Sequence, residues 1–148
     1  MLSIVATNVA TSIINPEIIL KNGYFFANNL MSSILYLKTL SHTDNELKDL
    51  MTNTDILEDI GIIKTFIEEK KLKCDSISVQ VCIDNLNQTL INLEENINSI
   101  TSKIENHKKL WFNSFRSYNI HYEKTQIPKL VKQMKHRFEI LIKISSVI

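Results

Sequence analysis

Apolar residues recur every three or four positions along most of this chain, which is the pattern of helices that bury one face. The clearest run lies in the second half, where apolar residues alternate steps of four and three without a fault: Val79, Ile83, Leu86, Leu90, Leu93, Ile97, Ile100 and Ile104. This heptad seam predicts a long helix, capped by Asp75 or Ser76. Because its flanking positions are mostly neutral, we expect it to pack inside a bundle rather than as a two-stranded coiled coil.

The pattern of the first forty residues predicts either one helix or two. Asn15 followed by Pro16 is a typical helix start, and a helix is expected from there through Leu40. Gly23 disfavours a helix interior, so residues 1–40 form either one bent helix or two. Residues 1–14 are a weaker helix candidate because Thr and Asn interrupt their apolar run.

Two further helices are predicted before residue 75. Thr43 and Glu46 match a capping box after a short break at residues 41–44, and Leu47, Leu50 and Met51 share a face behind it. A second break at residues 52–55 offers Thr54 or Asp55 as a cap. The helix that follows repeats isoleucines at helical spacing to about residue 72, at Ile56, Ile60, Ile63 and Ile67.

The last third contains an aromatic connector and a final helix. Residues 107–123 break the heptad seam, and Leu110, Trp111, Phe112 and Phe115 crowd together there, as in a short helix or turn that covers one end of a bundle. Thr125 is expected to start the last helix, with Pro128 in its first turn. Its buried stripe is Ile127, Leu130, Met134, Phe138, Leu141 and Ile144, and its polar face is Lys129, Lys132, Lys135, His136, Arg137 and Lys143.

Composition narrows the fold class. The chain has 148 residues, which fits a single domain over residues 1–148, and it contains two Gly and two Pro. A strand-rich fold of this length needs many turns, and turns use Gly and Pro. We therefore predict an all-α fold, an antiparallel four-helix bundle with an additional short helix or aromatic connector.

The net charge of +1 hides a split between the two parts of the chain. Residues 1–100 hold 7 Lys/Arg and 13 Asp/Glu, whereas residues 101–148 hold 10 Lys/Arg and 3 Asp/Glu. Such an asymmetry is typical of proteins that meet nucleic acid or a membrane surface. The alternative is that basic and acidic helices pack side by side and neutralise each other.

No pattern for catalysis or metal binding is found. The four histidines have no spacing that suggests a shared metal, and phosphate-binding glycine loops and nucleophile elbows are missing. Cys74 and Cys82 lie eight residues apart, which favours reduced thiols over a local disulfide. We expect neither an enzyme nor a cofactor. The last helix also has few side chains suited to base edges, so nucleic acid is not an expected partner.

A membrane surface fits the basic third better. Trp111, Phe112 and Phe115 lie near Lys108, Lys109 and Arg116, and lysines follow the apolar stripe of the last helix. Basic residues beside aromatic ones suit anionic headgroups. The core is the favoured place for the aromatic residues themselves, which leaves the lysines as an electrostatic contact. The N-terminus is too short and too polar for a membrane-spanning helix.

The order of these features resembles a known family. A heptad-like helix over residues 77–104 leads into the connector at residues 110–116, and a helix beginning Ile127-Pro128-Lys129-Leu130 follows. This is similar to the N-terminal four-helix-bundle, or HeLo-like, domains of mixed-lineage kinase domain-like pseudokinases and related fungal and plant cell-death proteins. The resemblance covers the C-terminal half best. The break at residues 52–55 and the segment 56–72 depart from the simplest version of that pattern.

The resemblance implies a cell-death or immune module that oligomerises, binds anionic phosphoinositide-rich membrane and permeabilises it. It implies a cytoplasmic protein recruited to the inner face of a membrane and restrained by a regulatory domain or protein partner. Residues 1–14 would insert or drive assembly. The lipid-binding residues that it implies are Lys103, Lys108, Lys109, Arg116, Lys124, Lys129, Lys132 and Lys135.

Two other functions remain open at this point. One is an adaptor or scaffold bundle, without enzymatic activity, that self-associates through the heptad seam. The other is a pathogen effector or inhibitor that binds a helix of a partner protein in a groove.

Overall fold

The computed structural model describes residues 16–40, 45–69, 76–109 and 118–147. Within these ranges the regular structure is entirely α-helical, so the predicted all-α class is confirmed. The helices are α1 (Pro16–Leu40), α2 (Asn45–Asn53), α3 (Ile56–Glu69), α4 (Ile77–Lys109) and α5 (His121–Val147). Predictions that concern residues 1–15, 41–44, 70–75 and 110–117 lie outside the described residues, including the aromatic connector, the Thr43 cap and Cys74.

Helix α1 runs without interruption through Gly23, so residues 16–40 are one helix. Gly23 is buried where α1 meets two neighbours. A Cβ atom at this position would lie 3.2 Å from Oδ1 of Asn87 and 3.3 Å from Cδ1 of Ile67. The glycine therefore permits a close approach of helices, which offsets its poor helix propensity.

The predicted break between α2 and α3 is present and is sharper than a kink. Asp55 has a φ of 49°, in the left-handed region that ends a helix. The Thr54 hydroxyl donates to the Leu50 carbonyl at 2.9 Å, so Thr54 completes the end of α2 and does not cap α3. The first backbone bond of α3 runs from the Asp59 amide to the Asp55 carbonyl at 3.1 Å.

Helix α4 is the longest of the described helices, and the heptad prediction for it is confirmed. Every residue of the seam from Val79 to Ile104 is at least 97% buried. Burial of this many aliphatic side chains is the main source of stability, at about 25 cal/mol for each Å² of apolar surface removed from water. Since the chain's own core covers the seam, self-association through it is excluded for this fold.

The predicted start of the last helix was wrong by four residues. Helix α5 begins at His121, whose amide donates to Oδ1 of Asn119 at 2.9 Å, and the Lys124 amide donates to the Ile120 carbonyl at 2.9 Å. Pro128 consequently lies inside the helix rather than in its first turn. Of the predicted stripe, three residues are buried (Ile127, Met134 and Leu141) and three are half-buried (Leu130, Phe138 and Ile144), and Val131 is an additional buried residue.

Helix α4 packs against α1 on one side and α5 on the other. Helices α1 and α4 run in the same direction, because Gly23 lies beside Asn87 and Tyr36 donates to Glu105 at 2.6 Å. Helix α5 runs opposite to α4, because Lys103 contacts Glu123 near the start of α5 and Arg137 contacts Asn85 further along it.

Helix α3 packs against α1 and has a smaller contact with α5. The contact with α5 includes an ion pair of 3.3 Å between Lys135 and Asp59. It also includes an edge-to-face contact of Phe66 with Phe138, whose ring centroids are 5.3 Å apart. Because residue numbers rise together on the two helices, from Asp59 and Lys135 to Phe66 and Phe138, α3 and α5 run in the same direction. The contacts therefore link α1, α4, α5 and α3 in a closed ring.

Candidate functional site

Lys103, the first expected lipid-binding residue, is fixed inside the fold. Its ammonium group lies 2.5 Å from Oε1 of Glu123 and donates to the Asn119 carbonyl at 2.9 Å. Ser99 donates to the same Glu123 oxygen at 2.8 Å. Lys103 thus joins the end of α4 to the start of α5, and its charge is matched by a carboxylate.

The Glu123 side chain is 97% buried. Whether Glu123 neutralises Lys103 depends on whether its carboxyl group is ionised. Burial by itself raises the pKa of the Glu123 carboxyl. The hydrogen bonds from Lys103, from the Glu123 backbone and from Ser99 outweigh burial, and the pKa falls below its ordinary value of 4.5. Glu123 is therefore ionised at neutral pH and neutralises Lys103.

Two more cations of the predicted polar face of α5 also hold the fold together. Lys135 pairs with Asp59 of α3 at 3.3 Å. Arg137 donates to the Asn85 carbonyl at 2.7 Å and to the hydroxyl of the buried Thr89 at 2.6 Å. Lys135 is still exposed and Arg137 is half-buried, so both lie on the predicted polar face but have partners on other helices.

The expected residues around the end of α4 are spread out. Lys108 is exposed and donates to the Leu40 carbonyl at the end of α1, at 3.4 Å. Lys109 is exposed at the last position of α4, and Lys124 is half-buried in the first turn of α5. Arg116 lies outside the described residues.

Lys129 and Lys132 point away from the other helices, and they are not alone there. At 3.6 residues per turn, Lys129, Lys132, His136 and Lys143 fall within about 60° of the helix circumference. All four side chains are exposed. We call these four residues the outer stripe of α5. Within the described helices, none of its three lysines forms an ion pair, and Glu139 is the carboxylate nearest to it in sequence on α5.

The expected set of lipid-binding residues omitted Lys143 and His136, although both were placed on the polar face. The signal that identifies them is their spacing, since positions 129, 132, 136 and 143 repeat at helical intervals. The set implied by the family resemblance contains Lys103, Lys108 and Lys109 instead.

Exposed apolar residues flank the outer stripe. Tyr122 is 65% exposed, Ile140 36% and Val147 86%, and all three lie on the side of α5 that carries Lys129. Lysines beside exposed aromatic and aliphatic side chains form the type of surface that binds at a lipid headgroup region. Single exposed apolar side chains are common on protein surfaces. The three residues here support a lipid contact because they lie beside the lysines.

Groups for redox or metal chemistry are not evident among the described residues. No cluster of three or more His, Cys, Asp or Glu side chains is placed to hold a metal ion in that part of the chain. Cys82 is buried, and burial raises the pKa of its thiol, which keeps it unreactive. Among the described helices, none combines the length and apolarity needed to cross a bilayer.

Comparison with known proteins gives one relationship to report. The chain is 30% identical over 120 residues to the uncharacterized protein L717 of Acanthamoeba polyphaga mimivirus, a match that covers 79% of this chain and 55% of that protein. The chain therefore spans about half the length of the curated relative it matches. No family model matches the chain, and no solved structure matches it.

Proposed function

We propose that the chain is a four-helix bundle of α1, α3, α4 and α5 that binds anionic phospholipid membranes through the outer stripe of α5 and acts without catalysis. The observation that carries this proposal is the set of exposed lysines at Lys129, Lys132 and Lys143, which form no ion pair within the described helices. Two of the other expected cations, Lys103 and Lys135, instead form ion pairs with carboxylates of the same molecule.

The energy available from this surface is sufficient for reversible recruitment. A basic residue near an anionic leaflet contributes about 1 kcal/mol, so three contribute about 3 kcal/mol. Contact of Tyr122, Ile140 and Val147 with the interface adds an apolar contribution, because these side chains are already exposed in solution. Since tenfold in affinity corresponds to about 1.4 kcal/mol, the lysines account for a change of roughly 100-fold.

The resemblance to HeLo-like bundles extends this proposal. It adds oligomerisation at the membrane, permeabilisation and control by a regulatory domain or protein partner. It also adds a role for residues 1–14, which lie outside the described residues. Among the expected lipid-binding residues, Lys103 has the least geometric support, because its ammonium group already forms an ion pair with Glu123.

Vesicle flotation tests the lipid contact directly. The protein is mixed with phosphatidylcholine vesicles that contain or lack phosphatidylserine, and the bound fraction is measured at several salt concentrations. We expect binding to the anionic vesicles that weakens as salt rises. The triple variant K129Q/K132Q/K143Q should lose roughly 100-fold in affinity, at about 1 kcal/mol for each lysine.

The matched control is K21Q/K38Q/K48Q, which removes three exposed lysines from α1 and α2 and gives the same change in net charge. If the two triple variants weaken binding equally, net charge and not the outer stripe attracts the vesicles. If the unaltered protein does not float with anionic vesicles, the proposed function is wrong. Release of an enclosed dye by the same vesicles tests permeabilisation separately.

The adaptor and effector functions have less support than lipid binding. The heptad seam cannot serve as the surface of a self-associating scaffold, because it is buried within the chain's own core. The remaining groove candidates for a partner helix are shallow surface depressions, such as the one lined by Lys21, Tyr24, Phe25, Asn28, Ile67 and Glu68. We therefore place lipid binding first.

A further inference from the structure

The outward side of α3 carries a regular pattern that the lipid proposal does not use. Glu58, Ile62, Thr65 and Glu69 are spaced by four, three and four residues, so they lie on one side of the helix. All four are exposed, and Ile62 keeps 52% of its surface in water. This side of α3 is acidic at both ends and apolar near its middle.

The adjacent side of α5 is mainly basic, although it also carries the exposed Glu139. Lys132 and Lys143 are exposed there, and Ile142, next to Lys143, keeps 39% of its surface in water. A cleft of about 220 Å³ separates the two helices. The residues that line the cleft are Asp59, Ile62, Ile63, Lys135, Phe138 and Glu139. We call the exposed surface formed by these sides of α3 and α5 the α3–α5 face.

The acidic and basic residues of this face lie at matching heights. Glu58 and Glu69 are eleven residues apart, and so are Lys132 and Lys143, which is about 16 Å along a helix. The contacts of Asp59 with Lys135 and of Phe66 with Phe138 fix the register between the two parallel helices. That register puts Glu58 level with Lys132 and Glu69 level with Lys143, within about one helical turn.

We propose that the α3–α5 face is a self-recognition surface that binds the same face of a second copy about a two-fold axis parallel to α3 and α5. Rotation about such an axis exchanges left and right but keeps every residue at its height. Helix α3 of each copy then lies over α5 of the other, and Glu58 and Glu69 meet Lys132 and Lys143 of the second copy. The exposed Ile62 is covered near the middle of the face, and the exposed Ile142 is covered beside Lys143 at one end.

A second copy fits this face better than an unrelated basic partner. An isologous interface needs a surface complementary to itself. Here α3 supplies Glu58 and Glu69, and α5 supplies Lys132 and Lys143, with Glu139 as one carboxylate on the basic half. A uniformly basic partner would match α3 but would repel α5. On α3 the exposed Ile62 lies between Glu58 and Glu69, so an apolar residue has charged residues on either side, as in many protein interfaces.

This inference does not depend on lipid binding. The carboxylates of α3 have no part in the outer stripe, whereas Lys132 and Lys143 belong to both surfaces. Changes on α3 therefore test self-association alone, so a failure of the vesicle experiment and a failure of this proposal are distinguishable.

Analytical ultracentrifugation of charge-reversal variants tests the surface. We expect the unaltered protein to form dimers, and E58K/E69K and K132E/K143E each to raise the dissociation constant by roughly 100-fold or more, because both halves of the interface then repel. A mixture of the two variants should form dimers again, since lysines on both helices of one then meet carboxylates on both helices of the other. The fourfold variant should also dimerise, with the charges exchanged.

The matched control is D84K/E95K, which reverses two exposed carboxylates on α4 that are also eleven residues apart. It should dimerise like the unaltered protein, and circular dichroism should show equal helix content in every variant used. A monomeric unaltered protein at all concentrations tested overturns the proposal. A dimer that survives E58K/E69K, or a mixture that stays monomeric, does the same.

Discussion

Replacement of Lys103 by methionine tests the role assigned to the contact between α4 and α5. The change keeps the apolar stem but removes the ammonium group, so the carboxylate of Glu123 remains buried with Ser99 as its side-chain donor. A hydrogen bond to a charged group contributes about 1.5–3 kcal/mol. Because the Lys103 side chain is 40% exposed, water recovers part of this loss, and we expect about 2 kcal/mol.

The measurement is thermal unfolding followed by circular dichroism at neutral pH. A loss of about 2 kcal/mol lowers the melting temperature by about 4–8 °C for a domain of this size. K129M is the control, because Lys129 is exposed and forms no ion pair within the described helices, and it should change stability by less than about 0.5 kcal/mol. The double variant K103M/E123L should recover much of the loss, because it removes the buried charge together with its partner.

The pH dependence follows from the lowered pKa of Glu123. A carboxyl group whose pKa is lower in the folded state stabilises the fold at neutral pH, and this contribution disappears as pH falls through the folded pKa, below 4.5. E123Q should therefore lose less stability than the unaltered protein over that acidic range. Equal midpoints for K103M and K129M, or an unchanged acid profile for E123Q, would refute the reasoning.

Three further predictions concern α4 and its neighbours. Leu90→Ala removes a fully buried side chain and should cost about 2–5 kcal/mol of unfolding free energy, while Val81→Ala, at a position 51% exposed, should cost under about 0.5 kcal/mol in the same denaturation assay. Cys82 should react with Ellman's reagent at the rate of unfolding, because burial raises its pKa and shields it. The hydrogen bond to Glu105, and then its charge, raise the pKa of Tyr36, so E105Q should shift a phenolate transition in an ultraviolet titration to lower pH.

Much of the fold was predictable because helical periodicity is a local property. The spacing from Val79 to Ile104 determines which side of α4 is buried whatever packs on it. The start of α5 was not predictable in the same way, since Pro128 favours a first turn in general. Here the cap is Asn119, and the contacts of Glu123 with α4 hold the additional turn in place.

The order of helices around the bundle was also beyond local reasoning. A chain of alternating helices with short connections predicts antiparallel neighbours. The contacts instead put α1 beside α4, and α3 beside α5, in parallel pairs. Gly23 shows why: its missing side chain allows α1 to approach Asn87 of α4, a preference that appears in no periodic pattern.

The candidate site could also be predicted only in part, because its residues follow from local spacing and their partners do not. Sequence spacing identifies the lysines on the polar face of α5, but their partners lie far away in the chain. Asp59 is 76 residues from Lys135, and Asn85 is 52 residues from Arg137. Only the packing of α3 and α4 against α5 separates these two cations, which stabilise the fold, from the lysines of the outer stripe.

The shared use of Lys132 and Lys143 links the two proposed surfaces. In a dimer formed through the α3–α5 face, these ammonium groups meet Glu58 and Glu69 of the second copy and are withdrawn from lipid, whereas Lys129 on the far side of the outer stripe is not. Exposed ion pairs contribute about 0–1 kcal/mol, similar to the contribution of a lysine at an anionic leaflet. If both surfaces act as proposed, the two uses of these lysines are similar in energy, and the concentrations of protein and anionic lipid decide how the lysines are divided between them.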